Sequence, residues 1–373
     1  MAKMEAAAFE DLLRRSGKGD LVVLEDVTLN AEAPVHLLRD AVTPIDRFFV
    51  RSNGALPSFT AQQLNHWRLV IDGEVDRPLN LNLDEIGSRF ETVTEEAVLE
   101  CAGNGRRNFT PPTDGLQWGE GAIGCARWTG VRLADLLRAA GPRPSACYTA
   151  HFSGDRDAKS DGPALSRGLP LWKALSAETL VAFAMNGSPL TPLHGAPMRI
   201  VAPGFPGSAW QKWLERITLR DREHDGAKMT GYDYRLPARS LQPGEKPDAS
   251  EMKVIEDMPV KSLIVSPFAT EKLEVGRPVQ IDGFAWSGHT PLAGVDVSTD
   301  GGRDWKAAEL SPAGGAFAWV PFRLSWTPAS AGRFTLMPRA RNARGVAQPI
   351  EEAPWNPKGY ANNRCQKVEV LVA

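Results

Sequence analysis

Residues 99–107 read LECAGNGRR: a cysteine followed by two glycines, an asparagine and two arginines, in a chain with only four cysteines. An isolated buried cysteine is ordinarily a small hydrophobe. These neighbours point elsewhere. Gly103 and Gly105 let the backbone approach another group closely, Asn104 tolerates unusual dihedral angles, and Arg106 and Arg107 set fixed positive charge beside the Cys101 thiol. Nearby cations favour the thiolate, the form that binds metal or attacks an electrophile.

Outward from this stretch, 373 residues exceed one ordinary core, so two domains are expected. Lys and Arg number 43 against 45 Asp and Glu, a net charge of −2, which argues against general binding to nucleic acid or anionic membranes. Any cationic site is therefore local. Cys101, Cys125, Cys147 and Cys365 contain no C-x-x-C pair and no C-x-x-C-H, which removes the usual zinc, iron–sulfur and c-type haem spacings. The last three are read as structural, and no disulfide framework is indicated. No apolar run is long enough to span a membrane. The segment MAKMEAAAFEDLLRRSGKGD reads as a short helix with Phe9, Leu12 and Leu13 on one face and Gly17 ending it. Without an apolar stretch after Arg14-Arg15, the expectation is a cytoplasmic protein, or a periplasmic one if a leader was removed.

Short apolar segments at 66–73, 180–187 and 197–203, separated by Gly/Pro turns, with one clear helix signal at VRLADLLRAAG (131–141), give a mixed α+β pattern for the first part of the chain. Residues 236–258 are charged, proline-containing and aperiodic, the texture of a linker, which sets the expected boundary near 250: domains 1–250 and 251–373. Beyond it, strand-like segments recur at the spacing of a β-sandwich. STDGGRDW (298–305) signals a hairpin, and in GVDVSTD the alternation puts Val295 and Val297 on a dry face, Asp296 and Ser298 on a wet one.

Polar and cationic residues also collect in glycine-rich and proline-rich loops, where scaffolds display function. RFFVRSNG supplies Arg51 and Asn53, GLQWGEGAIGCARWTG supplies Trp118 and Arg127, LHGAPMRIVAPGFPGSAWQKWL supplies His194, Arg199, Ser208 and Lys212, and GYDYRLP supplies two of four tyrosines. Taken singly, each has a structural explanation: a surface ion pair for Arg51, a satisfied loop histidine for His194, a core residue for Trp118, a strand side chain for Tyr234. Their combination in one order carries the information.

That order resembles the sulfite oxidase family of molybdenum enzymes. The family's cysteine motif reads C-A-G-N-R-R, and CAGNGRR (101–107) keeps its first four residues. FFVR (48–51), GLxWxxGAIxxARWxGVxL (115–133), MNGxPLxxxHGxPxRxVxPGxxGxxxxKWL (185–214), DYR (233–235) and WNPKGYANN (355–363) follow in family order. The resemblance implies a mixed α/β molybdopterin-binding domain followed by an immunoglobulin-like dimerisation domain, and hence a homodimer. It implies Cys101 as the protein thiolate on molybdenum, beside the pyranopterin dithiolene. Soft sulfur suits this metal. It further implies Arg51, Arg106, Trp118, Tyr234 and Lys358 around the substrate oxyanion, and Phe49, Arg51, Asn53, His194, Arg199, Ser208 and Lys212 around the cofactor. Three positions depart from the family pattern: Gly105 stands where an arginine is common, Lys358 where animal and plant members have arginine, and Asn53 where several have histidine. They bear on substrate affinity and electron-transfer tuning, and leave the metal position intact.

The physical chemistry agrees with this resemblance, because sulfite and sulfate are anions that guanidinium groups collect and orient, and an organic phosphate seeks backbone N–H groups and cations such as the Gly204–Lys212 loop offers. The expected activity is molybdenum-dependent oxidation of sulfite to sulfate by oxygen-atom transfer. With no haem motif in the chain, electrons are expected to leave one at a time to an external acceptor, a cytochrome c. The alternatives are a nitrate reductase-like reaction or oxidation of another sulfur compound on the same cofactor. In a different class stands a non-catalytic binding protein with a decayed site.

Overall fold

A computed structural model describes residues 6–25, 28–157, 162–268 and 271–373. The strand leading to the cysteine, Thr92–Glu100, pairs antiparallel with Ile123–Arg132 along its whole length, from Thr92 opposite Val131 to Glu100 opposite Ile123. The ladder runs one residue further: the Cys101 N–H donates to the Ala122 carbonyl at 2.9 Å. Leu180–Met185 pairs with the other edge of Ile123–Arg132, and itself carries Ser188–Pro189 and Arg199–Val201. The half of Thr92–Glu100 that leads into the cysteine is buried, as is most of Ile123–Arg132, and the sheet packs with Trp128, Trp210, Leu133 and Val181 in the largest core.

A second sheet runs in the order Leu79–Leu81, Leu69–Gly73, Leu214–Arg220, Tyr148–Ser153, with the middle pair parallel. A third, of three short strands, brings Val50–Arg51 beside Asn30–Glu32. The helix expected from VRLADLLRAAG is Leu133–Ala140; it buries Leu133, Leu136 and Leu137 and stops at Gly141, which takes φ +70°. The N-terminal helix, Ala6–Arg15, seats Phe9 and Leu13 in a smaller core.

The C-terminal part is two packed sheets. One runs Lys261–Ser266, Val279–Trp286, Val320–Trp326, Glu309–Leu310; the other runs Lys272–Leu273, Val368–Val372, Gly332–Asn342, Leu292–Ser298, Lys306–Ala307. Val295, Val297, Ile281, Phe322 and Leu336 fill the space between. This is the α+β arrangement with a terminal sandwich that the sequence texture suggests.

Two local expectations are corrected. Ser298 is not on a wet face. It is buried under the hairpin, where its hydroxyl accepts from the Gly302 N–H at 2.8 Å and donates to Asp300 Oδ1 at 2.8 Å, so turn closure overrides the alternation. The segment 236–258 is more than a linker: Arg235–Pro237 pairs antiparallel with Met252–Val254, and the Tyr232 hydroxyl donates to the Pro247 carbonyl. Aperiodic composition hid a backbone ladder that needs little side-chain pattern.

Candidate active site

Past Glu100 the chain turns tightly on hydrogen bonds from the Asn104 N–H to the Cys101 carbonyl and from the Arg106 N–H to the Gly103 carbonyl, both 2.9 Å. The unusual dihedral falls on Gly105, at φ +85°, rather than on Asn104. Asn104 works through its amide. It donates to Glu100 Oε1 at 2.9 Å and accepts from the Ala122 N–H at 3.1 Å, tying the loop to both strands. Behind it Glu100 and Lys261 form a buried ion pair at 3.1 Å, and Trp286 donates to the other carboxylate oxygen at 2.8 Å. The C-terminal sandwich therefore braces the cysteine loop.

The two arginines after Gly105 separate. Arg106 is buried, donating to the carbonyls of Lys358 at 2.8 Å and Leu116 at 2.7 Å, with its guanidinium 5.2 Å from the Tyr360 ring centre. Gly103 is required beside it, since a Cβ there would stand 2.6 Å from Arg106 Nη2. Arg107 turns away to the surface and pairs with Glu32 at 2.7 Å. It adds no charge at the thiol, contrary to the expectation from its proximity in sequence. Nor do the remaining cations control Cys101: burial pushes its thiol up, more strongly than Arg51, the Gly103 backbone and Arg106 pull it down. A positive partner closer than these side chains would favour the thiolate there.

Cys101 lies on the wall between two cavities. The inner one is lined by Phe49, Arg51, Asn53, Cys101, His194, Arg199, Ser208 and Lys212, with Asp155, Gln211 and Trp210 among the rest. The outer one, wider, is lined by Arg51, Arg106, Trp118, Tyr234 and Lys358, together with Lys228, Tyr360 and the carboxylates Asp114, Asp157 and Asp233. Four residues belong to both: Arg51, Asn53, Cys101 and Tyr234. Arg127 stands apart, exposed and paired with Glu96 at 3.1 Å.

In the inner cavity the cations are dry. Arg199 donates to the carbonyls of His194 and Trp210 at 3.0 and 3.1 Å and is pushed down to about 9 by burial alone. Lys212 donates to the Leu193 carbonyl at 3.0 Å and lies 4.2 Å from the Trp213 ring centre; burial, then Arg199, holds it well below the ordinary lysine value. His194 is likewise held neutral by burial and by Lys18, Arg199 and Lys212. At the seam, Asn53 Oδ1 accepts from Arg51 Nη2 at 2.9 Å, Lys228 Nζ at 3.0 Å and the Tyr234 hydroxyl at 3.2 Å. Lys228 and Arg167, whose guanidinium lies 5.0 Å from the Tyr234 ring centre, carry no sequence signal of their own, and Tyr360 falls within WNPKGYANN without having been singled out there. Each enters from a loop distant in sequence from Cys101.

Residues 53–228 match the model of the oxidoreductase molybdopterin binding domain, and residues 252–373 that of the Mo-co oxidoreductase dimerisation domain. Sulfite oxidase of Gallus gallus is 35% identical over 344 residues, covering 88% of this chain and 73% of that protein. The chain belongs to the sulfite oxidase family. Within that family, mitochondrial sulfite oxidase of Homo sapiens is 36% identical over 92% of this chain and 64% of its own length, and the NAD(P)H nitrate reductase of Hordeum vulgare is 31% identical over 75% of this chain and 33% of its own. The sulfane dehydrogenase SoxCD of Paracoccus pantotrophus superposes with a TM-score of 0.79 at 27% identity, over 95% of this chain and 89% of that one. As a member of a family of oxidoreductases, the chain is an enzyme rather than a binding module.

The inner cavity fits the family's cofactor. Among the described residues His194 Nε2 and Ser208 Oγ are buried there without a hydrogen-bond partner, and Arg199 and Lys212 form no direct ion pair with a carboxylate, Asp155 acting on Lys212 only from a distance. An organic phosphate and a pterin would supply what these atoms lack. Among the described residues no group of three His, Cys, Asp or Glu side chains can hold a metal, so Cys101 suits a metal whose other ligands come from a cofactor. Among the described residues no helix is long and apolar enough to cross a membrane.

Proposed function

We propose that this protein oxidises sulfite to sulfate, with Cys101 binding molybdenum and the inner cavity holding the pyranopterin. The observation that carries this reading is the shared wall: the one cysteine of the site faces a dry cationic chamber on one side and an open cationic mouth on the other. When bound, the molybdenum cofactor supplies the two-electron redox change and the oxygen-atom transfer. The chain supplies position and field.

His194, Arg199, Ser208 and Lys212 hold the cofactor's phosphate and pterin; Phe49, Arg51 and Asn53 complete that chamber at its metal end. Arg51 and Arg106 draw the oxyanion toward Cys101, Tyr234 orients it through its hydroxyl, and Trp118 closes the wall against water. Lys358 attracts anions at the rim, its ammonium 3.7 Å from Asp233. The domain boundary lies near 250, supported by family matches that end at 228 and resume at 252. The second domain joins two copies, and electrons pass one at a time to a separate acceptor such as a cytochrome c, with no haem carried by this chain.

The test is a sulfite assay of molybdenum-loaded protein with ferricyanide or cytochrome c. Turnover is expected; its absence with both acceptors discards the reading. The similarity to nitrate reductases, with Lys358 in place of arginine, supports one second reading, in which oxygen transfer runs in reverse. Nitrate-dependent reoxidation of the reduced protein distinguishes it.

A further inference from the structure

Lys228 belongs to none of the motifs that mark the site, yet its ammonium reaches the atom on which the site is organised. Asn53 Oδ1 takes one hydrogen bond each from Arg51, Lys228 and the Tyr234 hydroxyl. An ammonium has three N–H donors, so two remain after the contact to Asn53, and Lys228 lines the outer cavity. Among the described residues it forms no ion pair with a carboxylate. Lys358 differs: Asp233 offsets its charge at the rim.

The placement of Lys228 is also constrained. It sits at φ +63° and Tyr234 at φ +52°, left-handed conformations that non-glycine residues rarely hold unless their surroundings impose them. The buried Arg167 contacts both residues. Its Nη1 donates to the Lys228 carbonyl at 2.5 Å while its guanidinium packs on the Tyr234 ring. A lysine needed only for solubility would not be held this way.

We propose that Lys228 is a substrate-binding residue of the outer cavity, completing with Arg51 and Tyr234 a pocket for a small doubly charged oxyanion. The identity of that oxyanion as sulfite rests on the function proposed above; the assignment of Lys228 to anion binding does not. Lys228, rather than Lys358, then sets affinity for the anion.

The experiment uses holoenzyme carrying K228M, K228Q, which removes the charge while keeping a donor for Asn53, or K306M, an exposed control on the sandwich domain. Sulfite KM is expected to rise about tenfold in both Lys228 variants with kcat within about twofold, and to stay unchanged in K306M. Independently of turnover, the sulfate concentration that half-maximally raises the melting temperature, at constant ionic strength, is expected to rise about tenfold in K228M and K228Q. Unchanged sulfite KM and unchanged sulfate midpoint in a folded K228Q overturn the proposal. If the wild type binds sulfate through Lys228 but does not oxidise sulfite, the sulfite reading falls and the anion site stands.

Discussion

Lys212 and Arg199 put positive charge where water is scarce and where, among the described residues, no carboxylate pairs with it directly, an arrangement that costs stability until an anion arrives. Lys212→Met is therefore expected to stabilise the cofactor-free protein by about 1 to 3 kcal/mol in urea denaturation while lowering the molybdenum retained after purification. Loss of both stability and metal would assign Lys212 to the core instead. This scale was the most legible one in the sequence. Cys101 and Arg106 of CAGNGRR, His194, Arg199, Ser208 and Lys212 of the HG-to-KWL segment and Tyr234 of DYR line one or the other cavity, while Arg107 lines neither. Lys228 and Arg167 escaped notice because a single lysine or arginine in a loop is ordinarily a solvated charge.

At the scale of elements, the cysteine loop depends on a contact made 161 residues away, the buried pair of Glu100 with Lys261. Removing one partner of such a pair leaves the other charged and dry. Lys261→Met is expected to cost about 3 to 5 kcal/mol, and the double variant Glu100→Gln, Lys261→Met to recover most of that loss. Equal destabilisation by the single and double variants would mean that the pair is not coupled. Strands and helices with a strong period were readable: the helix Leu133–Ala140 and the strands of the sandwich follow their apolar pattern. The ladder inside 236–258 and the buried Ser298 were not, because both are set by backbone and hydroxyl hydrogen bonds that leave no apolar period. Arg107 shows the same limit, since adjacency in sequence said nothing about which way a side chain leaves a tight turn.

For the whole molecule, acid is the natural challenge. His151 is buried against Thr149 and lowered to about 3, first by burial and then by His224 and Arg167; the unfolded chain returns it to about 6.5. With the folded value below the unfolded one, its contribution is intact above about pH 6.5 and is lost as pH falls toward 3, at about 1.4 kcal/mol per pH unit. The melting temperature is expected to drop between pH 6.5 and 5, with a shallower slope in His151→Gln; equal slopes would contradict this. The substrate mouth is likewise a property of the whole chain, built by loops of the first half and by Lys358 and Tyr360 from the second, so neither half alone presents the complete cavity. The proposed function rests on the sulfur on the wall between the two cavities, and one measurement addresses it most directly: the visible spectrum of wild type and Cys101→Ser holoprotein through a sulfite titration. The wild type should show a sulfur-to-molybdenum charge-transfer band that bleaches stoichiometrically with sulfite, and Cys101→Ser should lose that response together with turnover. An unaltered band, bleaching as before with serine at position 101, would contradict the account.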